Sequence, residues 1–204
     1  MSKNYEITNI AHPQDTKLHR IRALKALRHD VFSGDLGGFV QSEENLAQDE
    51  ECWIYGDAIA CGNSCVAQKG ALYENACIRD FALVCGSAQM HGESQAEDRA
   101  IVRAGILTEQ ASVTGDGFVG EDATSGNAPV LKGQTLVYGE VSGKVLCQGK
   151  TVILPGQKLT NTSPDRICLC GQEISVERAA RRNREVLERA NDEKKAKKRS
   201  GLER

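Results

Sequence analysis

The sequence predicts an all-β solenoid, a parallel β-helix of stacked short strands followed by a C-terminal α-helix. Three observations carry that prediction. From Ile54 onward an apolar residue recurs at every sixth position, and a small residue sits two positions before each. Residues 174–199 then contain no Gly or Pro and space their apolar residues at helical intervals.

Residues 52–123 divide into six-residue units. The third column of the units holds Ile54, Ala60, Val66, Leu72, Ile78, Val84, Met90, Ala96, Val102, Thr108, Thr114 and Gly120. The first column holds Cys52, Ala58, Ser64, Gly70, Ala76, Ala82, Ala88, Ser94 and Ala100. Side chains alternate along a strand, so both columns face one side and the residue between them faces the other. A unit this short buries its apolar face only by stacking on copies of itself, and three units per turn make a coil of about 18 residues. The first column must be small because three walls share a narrow interior that larger residues would overpack. At that spacing the outward residues sort into a first wall of Ile59, Cys77, Gln95 and Val113, and a second of Cys65, Leu83, Ile101 and Val119. A third wall carries Trp53, Ala71, Gln89 and Leu107. The second wall is apolar throughout and is expected to be covered by another subunit or by the C-terminal helix.

On either side of the regular coil the pattern changes. Residues 1–51 read as an N-terminal cap and irregular first coil, with strands at Tyr5 to Thr8 and Leu18 to Leu24 and a turn at Pro13. An open solenoid end exposes backbone groups, which is why a non-repeating cap is needed there. Residues 124–174 lose the register at TSGNAP and resume as Gly-punctuated strand, with the β-helix ending near 160. Residues 175–204 read as a basic amphipathic helix and tail, with Val176, Ala179, Ala180, Val186, Leu187 and Ala190 near one face.

The segment Gly34-Asp35-Leu36-Gly37-Gly38-Phe39-Val40, then Glu43, Asn45-Leu46 and Cys52-Trp53-Ile54-Tyr55, resembles the start of the YdcK family. The resemblance covers about residues 18–123. It implies a left-handed coil and a compact form of the kind found in phage and mobile-element regions; it implies no particular reaction. The wider hexapeptide-repeat class, which the chain also resembles, includes many acyltransferases. Those enzymes are usually trimers with a His between neighbouring coils and a coenzyme A donor, and His91 is the residue that would serve here.

Charge is segregated along the chain. Residues 1–29 net +4, residues 30–125 net −13 and residues 126–204 net +7, which together give −2. An acidic coil between basic ends suits a protein partner with a basic surface. The candidate binding residues are the turn carboxylates Asp57, Glu74, Asp80, Glu93, Glu97, Asp98, Glu109, Asp116, Glu121 and Asp122. Such a surface is expected to occupy a groove that normally holds nucleic acid, as an inhibitor of a host nucleic-acid-processing or defence protein would. Self-association through Cys65, Leu83, Ile101 and Val119 is the structural alternative. Nucleic-acid binding through Lys194 to Arg199 is less favoured, because the basic run lacks interleaved aromatic residues. Cys147, Cys168 and Cys170 lack an evident fourth ligand, so no metal and no cofactor is expected. The eight cysteines read as reduced space-fillers, and the absence of a long apolar run or a signal-like start makes a cytoplasmic, membrane-free protein the expectation.

Overall fold

The fold was described from a computed structural model, in which residues 3–48 and 50–179 are described. Strand β1 (Tyr5–Ala11) pairs antiparallel with β2 (His19–Ala23), and β2 pairs antiparallel with β3 (Leu36–Val40). On its other side β3 pairs in parallel with Ile59–Ala60, so it converts a meander into a solenoid. From Trp53 to Ile101, two-residue strands begin every six residues. Each lies in parallel over the strand one coil away: Ile54 on Leu72 and Met90, Ala60 on Ile78 and Ala96, Val66 on Val84 and Val102. Three flat sheets result, one for each wall of a three-sided solenoid of about seven turns. The inward columns are fully buried, with Ile54, Leu72, Ile78, Val84, Met90 and Val102 at 0% exposure.

Between Trp53 and Gly120 the register slips once. Ile101 pairs with Phe118 and Met90 with Leu107, separations of 17 residues, because the unit that begins at Ala100 has lost one residue. Alternation is strict, so a one-residue deletion swaps the faces that the sixfold count assigns on the walls that follow it. Leu107, Val113 and Val119 therefore point inward and are fully buried, not outward on the walls. Their outward places are taken by Ile106, Ser112 and Phe118. The second wall is Cys65, Leu83, Ile101 and Phe118, followed by the Lys158–Glu140 ion pair.

Between Phe118–Gly120 and Val130–Leu131 the corner swells into a loop, after which parallel pairing resumes and runs through Lys158–Asn161 and Arg166–Cys170. The coil thus continues past residue 160, and Glu173–Glu177 folds back antiparallel on Arg166–Cys170. Ser175, the expected start of the C-terminal helix, is in that last strand; the remainder of the expected helix from 180 onward, with Lys194 to Arg199, lies outside the described residues. Among the described residues no helix is long and apolar enough to cross a membrane.

The cap closes the first coil with side chains. Backbone groups at its three corners have no coil above to pair with, and an unpaired buried amide or carbonyl costs roughly 1–3 kcal/mol. Arg20 donates to the carbonyl of Gly56 at 2.7 Å, and Arg28 to that of Lys69 at 3.4 Å. At the remaining corner Asn45 donates to the carbonyls of Gly62 and Ser64 at 3.0 and 2.9 Å, while Gln41 Oε1 accepts the Gly62 amide at 3.0 Å. Arg20 is itself seated 4.3 Å over the ring of Phe39, whose edge meets His12.

Candidate binding surface

The corners of the solenoid form three edges, and the ten predicted carboxylates fall on all of them. The edge between the third and first walls begins with Tyr55, Tyr73 and His91 on successive coils. Their rings stack at 4.5 and 4.3 Å and lie within 6° of parallel. The first is anchored where the Tyr55 hydroxyl donates to Asp30 at 3.0 Å. Next to the stack are Asp57, Glu74, Glu93 and Glu109, all exposed. A shallow cleft of about 420 Å³ lies among Gly92, Glu93, Glu109, Gln110, Gly133 and Gln134. The edge between the first and second walls carries Asp80, Glu97, Asp98 and Asp116; the third edge carries Glu121 and Asp122.

Several of these side chains have structural work. Gln68, Glu74, Asp80, Asp98 and Glu109 sit at φ near +60°, a conformation that costs a non-glycine residue about 1–2 kcal/mol. Four of them offset that cost by reaching along the edge. Gln68 accepts the amide of Gly86 at 2.7 Å, Glu74 that of Gly92, Asp80 that of Asp98 at 3.3 Å and Asp98 that of Gly115 at 3.0 Å. Glu50 continues the same ladder upward by accepting the amide of Gln68. Acidic residues are thus placed at corners partly because a carboxylate there satisfies a backbone donor on the next coil.

Ion pairs neutralise others. Asp57 meets Arg20 at 2.5 Å, Asp116 meets Arg99 at 2.8 Å, Glu121 meets Arg103 at 3.5 Å, and Glu97 accepts from Arg79 Nε at 2.8 Å. Asp122 is not on display: it is 7% exposed, and its carboxylate accepts the Ser125 amide at 2.7 Å to shape the inserted loop. Among the described residues, Glu74, Glu93 and Glu109 have no basic side chain within 4 Å. They are consecutive on the tyrosine edge.

The other candidates are scattered. His91 spends its ring face on Tyr73, with Nε2 3.4 Å from Gln89 Oε1. Cys147 points inward with Leu169, whereas Cys168 and Cys170 alternate to the opposite face, so the three thiols do not converge. Among the described residues no group of three His, Cys, Asp or Glu is arranged to hold a metal ion. All eight cysteines are free. Hydrogen bonding from Cys77 brings the Cys61 thiol down to about 7, and burial pushes Cys52 up to about 12. The tyrosine stack escaped sequence reasoning although its signal was there, aromatic rings at 55, 73 and 91 in an 18-residue period.

Among the described residues two carboxyls lie below the ordinary carboxylate range: Asp98, held down by the Thr114 hydroxyl and then the Gly115 amide, and Asp122, held down by Ser125. A depressed folded-state pKa contributes stability that is present above the unfolded value of about 3.9 and is lost as pH falls through the folded value. The urea midpoint should therefore drop between pH 5 and 2, and Asp98→Asn should flatten part of that drop. A midpoint independent of pH over this window would contradict the assignment.

Comparison with known protein families and with curated proteins finds no match to this chain.

Proposed function

We propose that the protein is a non-catalytic binding protein whose tyrosine edge engages a protein partner with a basic groove. The observation that carries this reading is the row Glu74, Glu93 and Glu109, exposed on successive coils without a cation, while ion pairs take up Glu97 and Asp116 on the second edge and Glu121 on the third. Coils repeat at about 4.8 Å, so the row presents regularly spaced charge, wider than the 3.4 Å per phosphate of one DNA strand but of the same order. The backbone beneath it is fixed by parallel pairing on both sides, so little ordering entropy opposes binding. A groove that holds nucleic-acid phosphates has the chemistry to accept such a row. An inhibitor of a nucleic-acid-processing or defence protein fits both the row and the resemblance to the left-handed YdcK-type, mobile-element proteins.

The test begins with affinity capture from a nuclease-treated bacterial lysate, followed by binding measurements on the recovered protein. Glu74→Lys/Glu93→Lys/Glu109→Lys should weaken binding about 100-fold or more, mainly through slower association at low salt. Asp116→Lys, on another edge, should change it little. Equal affinity of the triple variant and the parent would defeat this reading. A second reading is favoured by Cys65, Leu83, Ile101 and Phe118, whose apolar strip on the second wall suits self-association; Ile101 alone is 38% exposed.

A further inference from the structure

Four thiols lie in two diagonal pairs on the walls of the coil. On the first wall Ile59 is in register with Cys77 and Ala60 with Ile78, so Cys61 follows one strand and Cys77 opens the next. Side chains alternate, so Cys61 shares the outward side with Ile59 and Cys77, and diagonal partners on one face are within reach of each other. On the second wall Cys65 is in register with Leu83, which puts Cys85 on its diagonal. All four thiols are half-buried and free.

Their surroundings differ. The Cys61 amide donates to the Ile78 carbonyl at 3.0 Å, and Cys61 Sγ turns back over the same oxygen at 3.7 Å, toward the strand that carries Cys77. The Cys77 thiol donates to Cys61 Sγ. Beyond Ile78 the register sets Arg79 opposite Cys61, and Arg79 Nε is itself held by Glu97 at 2.8 Å. The donor thiol and the guanidinium together outweigh burial and the nearby Asp80 and Asp15, and they favour Cys61 as the thiolate. Cys77 is shifted in the opposite sense, because its proton is the one shared with that thiolate. On the second wall burial pushes both Cys65 and Cys85 up. A solvent-reachable thiolate hydrogen-bonded to a second thiol has the arrangement of a peroxide-reactive cysteine beside its resolving partner.

We propose that Cys61 and Cys77 form a redox-modification site for hydroperoxides, with Cys61 as the attacking sulfur and Cys77 as the resolving one. Cys61 Sγ attacks the terminal oxygen of the hydroperoxide. The S–O bond forms as the O–O bond breaks, and the departing alkoxide takes up the proton that Cys61 had released to solvent. Cys77 Sγ then attacks the sulfenic sulfur, the S–O bond breaks, and the Cys77 proton leaves with the hydroxide as water. The two thiols lose two electrons, and the hydroperoxide is reduced to an alcohol, or to water when it is hydrogen peroxide. The approach that brings the sulfurs to bonding distance falls on a turn, since Cys61 precedes the corner at Gly62, whose φ is +66°. Gly62 is also bonded to Asn45 and Gln41, so the bridge ties the corner that holds the cap to the next coil.

The experiment treats the reduced full chain with one equivalent of hydrogen peroxide at neutral pH and maps the cysteines by alkylation and peptide mass spectrometry. The expected product is a single disulfide that joins tryptic peptides 29–69 and 70–79 through Cys61 and Cys77, with Cys65 and Cys85 still open to alkylation. In Cys77→Ser no bridge can form, and Cys61 should accumulate as a sulfenic acid that dimedone traps. Cys77→Ala removes the donor and should slow oxidation of Cys61 about fivefold. Equal oxidation of Cys61, Cys65 and Cys85, a bridge between two chains, Cys61 oxidised without a bridge to Cys77, or a chain left fully reduced would each overturn the proposal. An unchanged rate in Cys77→Ala would overturn it as well.

Discussion

Asn45→Ala is expected to destabilise the protein by roughly 4 kcal/mol, the largest loss from any single side chain outside the apolar interior. The amide of Asn45 is fully buried and makes four bonds to backbone. Its nitrogen donates to the carbonyls of Gly62 and Ser64, and its oxygen accepts the amides of Gln41 and Ser42 at 3.1 and 2.8 Å. Alanine removes both halves at once. The two carbonyls are the top of the first coil at one corner, where no strand lies above to replace the lost donor, and the two amides belong to the turn that carries the chain off β3. At a scale of about 2–4 °C per kcal/mol for a chain of this size, the melting temperature should fall by roughly 10 °C. Urea denaturation at constant m-value measures the loss directly, and a change below about 0.5 kcal/mol would show that water substitutes for the amide. Asn45→Asp separates the two halves, since it keeps the acceptor and loses both donors.

Gly38→Ala is expected to cost about 3 kcal/mol for a different reason. A Cβ at position 38 would lie 2.4 Å from the Ala58 carbonyl oxygen and 2.4 Å from Ile54 Cγ2. Neither neighbour is the free end of a flexible side chain, so the strand itself has to move. That strand is β3, which holds the antiparallel cap on one edge and the parallel coil on the other, and a shift loosens both pairings. The substitution should lower the urea midpoint and increase exchange of β2 amides together with those of Ile59–Ala60. Gly34→Ala is the control: nothing lies within 4 Å of a Cβ there, and only its φ of +96° opposes the change. If the two variants melt alike, close packing at Gly38 is not what fixes the cap.

Most of the coil was legible because its rule is simple. Small and aliphatic residues two apart, repeated every six, locate the strands from Trp53 to Ile101 within a residue. The rule fails at Ala104, where a corner is one residue short, and the failure is silent: Thr108 and Thr114 are plausible column residues, so the sixfold count runs on in the wrong phase. The aliphatic trio Leu107, Val113 and Val119, itself spaced by six, marks the true column. Ion pairs were also written in the sequence at the coil repeat, as Arg79 with Glu97, Arg103 with Glu121 and Glu140 with Lys158, each 18 residues apart. Reading net charge by segment conceals them, which is why ten carboxylates look equally available although Asp57, Glu97, Asp116 and Glu121 are taken up in ion pairs and Asp122 is buried. The cap was least legible. Asn45 and Arg20 act on groups 17 to 37 residues away through side-chain bonds that no local pattern announces.

A three-sided coil also behaves as a rotary counter. Since each unit of six residues turns the chain by about 120° and each set of three advances it by about 4.8 Å, an insertion is sorted by its length and its place. One whole coil added between Asn75 and Ala88 would lengthen the body and leave every edge in line. A single unit of six added there, if accommodated as a strand, would carry Glu93 and Glu109 round to the next edge while Glu74 stayed behind, and the row would be broken without any residue of it being changed. Residues 121–129 show the third outcome: they leave the corner as a loop, and Val130 rejoins Ile106 in phase. Length changes at corners are therefore neutral to surface alignment, whereas length changes in walls permute the surface as a whole.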